Sequence, residues 1–62
     1  MNEVEAQFET ERELEARLKL KPGAMRRMRR EARGPKWCRV GRLIRYRRGD
    51  VEAWLKANEG GK

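Results

Sequence analysis

Apolar residues recur along the chain in three short helical patterns, with one alternating stretch between the second and third. Leu14 and Leu18 stand four apart with Ala16 between them, which predicts a helix with a narrow buried stripe. Ahead of them, Thr10-Glu11-Arg12-Glu13 has capping-box spacing, Thr10 serving as N-cap and Glu13 reaching back. The acidic first turn suits the positive end of the helix. Upstream, the segment with Val4 and Phe8 either extends this helix or forms a frayed arm, and Phe8 is expected to pack on the core.

Lys21-Pro22-Gly23 is the next punctuation. A proline suits the first position of a helix, where its missing N–H is not needed, and a second helix is expected over 22–32. Ala24, Met25, Met28 and Ala32 share one arc of its wheel; Gly23, Arg26 and Arg30 lie opposite, with Arg27 and Arg33 on the flanks. Gly34-Pro35 is expected to end it. The third pattern is Val51, Trp54 and Leu55, at i, i+3 and i+4, behind Asp50 in a favourable first-turn position. Trp54 reads as a core anchor. One domain over 1–62 is expected, with flexible ends at about 1–7 and 59–62.

The alternating stretch is "CRVGRLIRYRRGD", residues 38–50, where Val40, Leu43, Ile44 and Tyr46 interrupt five arginines. A hairpin with a three-residue loop, Gly41-Arg42-Leu43, pairs Val40 with Ile44, Cys38 with Tyr46 and Arg39 with Arg45. That register places the apolar residues of the ladder, Cys38 included, on one face and both arginines on the other. A two-residue Gly41-Arg42 loop instead pairs Arg39 with Ile44 and mixes the faces. The first register is the expected one. It opposes Arg39 and Arg45 directly, which is unfavourable unless an anion lies near.

Charge changes the picture. The net charge of +7 is unevenly spread: residues 1–16 sum to −5, residues 17–48 to +13, and residues 49–62 to −1. Glu31 is the sole acid in the middle segment, so the positive charge belongs to the folded body and calls for a polyanionic partner. No apolar run is long enough to span a membrane or act as a signal peptide, and no membrane partner is expected. One cysteine and no histidine leave no disulfide framework and no zinc site, which fits a reducing cytoplasm. Without serine or histidine, and with only scattered carboxylates, an enzyme is not expected; nor is a cofactor or a small-molecule substrate.

Two helices across a tight turn, a two-stranded ribbon and a packing helix add up to a winged helix-turn-helix, mainly α with a small β-hairpin. The stretch "TERELEARLKLKPGAMRRMRREARGPKWCRVGRLIRYRRGDVEAWLKAN" resembles the excisionase and AlpA-like proteins, a small branch of the MerR-type winged-helix superfamily. The resemblance covers about residues 8–58. Its most specific part is "GP" followed by "RVGRLIRYRRGDVEAWL": a Gly-Pro, an Arg-apolar-Gly wing, a tyrosine ending the second strand, then Asp and Trp in the last helix. The chain is most similar to the excisionases of temperate phages, and twelve arginines to five lysines match a GC-rich, actinobacterial host. It departs from the family pattern at Glu9, where an apolar residue is usual, at Met28, often a bulky aromatic, and at Leu43, often polar or basic. Lys21 stands in place of a small polar N-cap, which leaves the second helix poorly capped unless a phosphate supplies the acceptor.

The resemblance implies a factor that binds double-stranded DNA. Its second helix would enter the major groove with Gly23, Arg26, Arg27, Arg30 and Arg33, and its wing would meet the backbone or minor groove with Arg39, Arg42 and Arg45. Trp37, just before the wing, is either a hinge-packing residue or a DNA contact. Excisionases bind adjacent sites, touch their neighbours and bend the DNA so that a separate integrase excises the prophage; integrase and further copies of the chain are the partners implied. The acidic N-terminal segment either supports head-to-tail contacts or is simply solvated. A small transcriptional regulator of the same fold shares every motif, and a basic peptide lying on RNA or an anionic membrane is the reading from another class. The wing register and an expected buried Trp54 oppose the last, since a surface-lying peptide needs one continuous amphipathic helix.

Overall fold

A computed structural model describes residues 7–59, so Val4, the first six residues of the acidic N-terminal segment and all but Gln7 and Glu59 of the expected loose ends lie outside the described residues. The order is β1 (Phe8–Glu9), α1 (Glu11–Leu18), α2 (Ala24–Arg30), β2 (Cys38–Val40), β3 (Leu43–Arg47) and α3 (Arg48–Ala57). The first helix starts as its sequence dictates. The Thr10 hydroxyl accepts from the Glu13 N–H at 3.0 Å and the Glu13 carboxylate accepts from the Thr10 N–H at 2.9 Å. It closes at Lys19, in the left-handed conformation (φ 58°), where the Lys19 N–H reaches Ala16 and the Leu20 N–H reaches Glu15.

The turn into α2 differs from the expectation. Pro22 is not the first helical residue; Lys21 to Ala24 forms a turn closed by Ala24 N–H to Lys21 C=O at 3.1 Å. Gly23 lies at φ 91°, ψ −10°, so Pro22-Gly23 fills the central pair of a type II turn, which needs glycine second. A Cβ on Gly23 would meet nothing within 4 Å, so the backbone angle alone demands glycine there. At its other end α2 stops at Arg30 rather than at 32. Ala32 takes φ 58°, and the Ala32 and Arg33 N–H groups bond back to Arg29 and Met28 at 3.2 and 2.9 Å. This is a Schellman closure with alanine in the glycine position. Gly34-Pro35 lies in the loop beyond it.

The strands carry two further corrections. Phe8–Glu9 neither extends α1 nor frays: it pairs antiparallel with Arg47 and Tyr46, making a three-stranded sheet ordered β1-β3-β2. The hairpin adopts the two-residue loop, with Val40 opposite Leu43, Arg39 opposite Ile44 and Cys38 opposite Arg45. Gly41 has φ 64° and Arg42 does not share a positive φ, the combination that a type II′ hairpin turn with glycine first requires. Turn geometry thus overrides the segregation of faces. Cys38, Val40, Leu43 and Arg45 share the outer face, while Ile44 and Tyr46 point inward.

Leu14, Met25, Tyr46 and Val51 are fully buried and form the core, one residue from each of α1, α2, β3 and α3. Leu18, Leu20, Met28, Ile44 and Leu55 pack around them. At about 1.5–3 kcal/mol for each fully buried large apolar side chain, these four set the mutual placement of the helices. Phe8 stays on the outer face, half-buried beneath the Arg47 guanidinium at 5.6 Å, and does not join the core. Ala16 and Ala32 are exposed. Trp54 is half-buried and peripheral: its indole N–H donates to the Arg33 carbonyl at 3.1 Å, tying α3 to the loop after α2.

Candidate nucleic-acid interface

The placement of α2 depends on a contact eight to ten residues away in sequence. Glu15 of α1, only 8% exposed, uses one oxygen, Oε2, to accept from the N–H groups of Gly23 and Met25, both at 3.0 Å. The cap missing at Lys21 and Gly23 is therefore supplied from the neighbouring helix, and no phosphate is needed to complete it. The same bonds clamp α2 onto α1 across the turn.

A second group of contacts decides which arginines of α2 face outward. Arg29 donates its Nε–H to Glu11 Oε2 at 2.6 Å, the Tyr46 hydroxyl donates to the same oxygen at 2.9 Å, and the guanidinium lies 5.5 Å from the Trp37 ring centre. Glu11 thereby raises the guanidinium's already high pKa. Burial, and then the adjoining Glu11 carboxylate, push the Tyr46 phenol well above its ordinary value. Trp37 itself is 42% exposed and serves as the stacking partner of Arg29, which matches its hinge-packing reading. Arg17 is similarly spent: it grips Glu9 through two bonds of 2.9 Å and reaches Glu52 at 3.2 Å, joining β1, α1 and α3. Glu9, apolar in the resembling family, is 4% exposed and tolerated because this fork satisfies both its oxygens.

What remains outward is the front of α2. Gly23, Arg26, Arg27, Arg30 and Glu31 line one open groove. Among the described residues no carboxylate pairs with Arg26 or Arg30. Arg27 and Arg33 both contact Glu31, at 3.3 and 2.6 Å, and these two hydrogen bonds, Arg33 first, hold its carboxyl below the usual range. Glu31 was visible in the sequence as a lone acid in a basic segment, but no pattern assigned it a place. The structure thus brings Gly23, Arg26, Arg27 and Arg30 together, with Arg33 adjoining through Glu31.

The predicted wing set is not brought onto one face. Arg42 sits in the hairpin loop, Arg45 faces outward beside Cys38, and Arg39 pairs with Ile44 on the opposite side. Arg39 and Arg45 do not oppose one another, and the like-charge strain expected between them does not arise. Arg45 instead donates to the Ile44 carbonyl at 2.8 Å. Val40 and Leu43, each 53% exposed, flank the loop as an uncovered apolar pair.

Among the described residues no group of His, Cys, Asp or Glu is placed to hold a metal ion, and no helix is long and apolar enough to cross a membrane. No curated protein and no solved structure matches the chain. A family model described as "Helix-turn-helix domain" matches residues 10–59, from the N-cap of α1 to the turn after α3. With α1 and α2 clamped across a five-residue turn, a hairpin wing behind them and an arginine-lined groove in front, the chain belongs to the helix-turn-helix domain family and binds DNA.

Proposed function

We propose that this protein is an excisionase-type architectural factor, which binds and bends attachment-site DNA so that an integrase excises a prophage. In this reading α2 enters the major groove, where Arg26, Arg27, Arg30 and Arg33 divide between guanine edges and phosphates, and Gly23 lets the backbone come close. The wing meets the adjoining backbone or minor groove through Arg39, Arg42 and Arg45. The protein would act in the bacterial cytoplasm, on a chromosome carrying the prophage.

The observation that carries the proposal is the small reading surface. A recognition helix of seven residues spans few base pairs. Useful specificity then needs several copies side by side, with a separate integrase carrying out the recombination. Intramolecular recombination between the two prophage attachment sites is the test, with integrase and a host bending protein present. Adding this chain should raise excision and lower integration. Tight DNA binding with no effect on either direction would refute the excisionase role and favour a small transcriptional regulator.

A further inference from the structure

Glu31 stands where helix electrostatics give it no stabilising role. It is the C-cap of α2, beside the negative end of the helix dipole, where lysine and arginine are preferred. Its i,i+4 pair with Arg27 runs in the less favourable order, base before acid. Both ion pairs are open to water, with Glu31 44% exposed, Arg27 77% and Arg33 59%, so they contribute little to folding. Yet this carboxylate lines the same groove as Arg26, Arg27 and Arg30, and it is the sole acid among residues 17–48.

We infer that Glu31 is a specificity-determining residue that competes with DNA phosphate for Arg27 and Arg33. The inference rests on the proposed docking of the α2 front in the major groove. In free protein the carboxylate occupies both guanidinium groups through bonds of 3.3 Å to Arg27 and 2.6 and 2.8 Å to Arg33. A randomly placed duplex offers phosphates that must displace it while lying close to its negative charge. At the proper site, guanine O6 and N7 give Arg27 or Arg33 a bidentate acceptor carrying no full charge, and a cytosine amino group can donate to Glu31 itself. The carboxylate therefore penalises non-specific binding more than specific binding, and it holds the two arginines in a fixed fan before contact.

The test is Glu31→Gln, which keeps the shape while removing the charge and one of the two acceptor oxygens that hold Arg27 and Arg33. Glu59→Gln, an exposed acid in the turn after α3, serves as a control with the same change in net charge. Affinities for a duplex selected by the parent protein and for a random duplex are measured across a salt series. For Glu31→Gln, random-duplex affinity should rise about tenfold, with log K against log salt steeper by about 1–2 as Arg27 and Arg33 turn to phosphate. Selected-site affinity should change less than about threefold, so the ratio collapses. Glu59→Gln should raise both affinities slightly and equally, and circular dichroism should show both variants folded. Equal gains on both duplexes, or no change with Glu31→Gln, would overturn the role of Glu31 alone. A parent with no preference between the duplexes would overturn the docking proposal along with it.

Discussion

Replacing Glu15 tests the cap that places α2. Its Oε2 receives the Gly23 and Met25 N–H groups, both at 3.0 Å, in a side chain almost wholly buried. Glu15→Gln keeps a carbonyl oxygen able to take both bonds and loses only the charge facing the helix N-terminus, a cost of about 1 kcal/mol. Glu15→Ala removes the acceptor altogether. A hydrogen bond to a charged group contributes about 1.5–3 kcal/mol, and losing a helix cap costs about 0.5–2 kcal/mol. Because one oxygen serves both donors, these ranges describe the same loss, and about 2–3 kcal/mol is expected. Alanine's better helix propensity offsets only a few tenths of a kcal/mol. A domain of this length has about 3–9 kcal/mol in total, so the alanine variant should lie near the edge of folding. Thermal melts followed by circular dichroism should show Tm lowered by about 5 °C for Gln and 10–20 °C for Ala, at about 4–8 °C per kcal/mol. An alanine variant melting within about 3 °C of the parent would refute the cap. A glutamine variant as damaged as alanine would show that charge, rather than the shared acceptor oxygen, carries the interaction.

Three smaller tests address other joints of the fold. Ala32→Gly relieves a left-handed backbone at φ 58° and should stabilise by about 0.5–1 kcal/mol, seen as a higher urea midpoint with an unchanged slope. Cys38 shares the outer face with Arg45, so a thiol-alkylating reagent should label it readily in folded protein, and Cys38→Ser should change stability by less than about 0.5 kcal/mol; a thiol protected until unfolding would restore the three-residue loop. Tyr46→Phe removes the buried donor to Glu11 and should cost about 1–2 kcal/mol at neutral pH. The folded phenol titrates above its unfolded value of about 10, so its contribution is complete below that pH and is lost as pH climbs beyond it. Urea melts at about pH 8 and about pH 11 should therefore show the parent losing more stability than Tyr46→Phe; equal losses would contradict the contact.

The parts of this fold legible in the sequence are those set by neighbouring residues. Thr10 and Glu13 cap α1 as their spacing requires, and Leu14 and Val51 are buried where their helical periods put them. The arginine front of α2 follows from the same wheel, which places Arg26 and Arg30 opposite Met25. The wing register failed because a burial rule was applied to a ribbon whose outer face leaves Val40 and Leu43 half exposed. Segregating apolar residues there gains little, and Gly41-Arg42 decides the turn instead. Strand β1 is two residues long, too short for any period to show. The Glu15 cap and the Arg29–Glu11–Tyr46 contact join residues 8 to 35 positions apart, and only folding brings them together. In the sequence Arg29 follows Met25 by four residues, at the edge of the apolar arc, but no pattern names Glu11 and Tyr46 as its partners.

The most direct test of the account is the salt dependence of duplex DNA binding by the unaltered protein, read by fluorescence anisotropy. Arg17 and Arg29 are committed to internal carboxylates; the proposed contacts are Arg26, Arg27, Arg30, Arg33, Arg39, Arg42 and Arg45. If about five to seven of these meet phosphate, log K should fall with log salt at a slope of about −5 to −6. A slope shallower than about −2 would contradict a DNA interface built from these arginines.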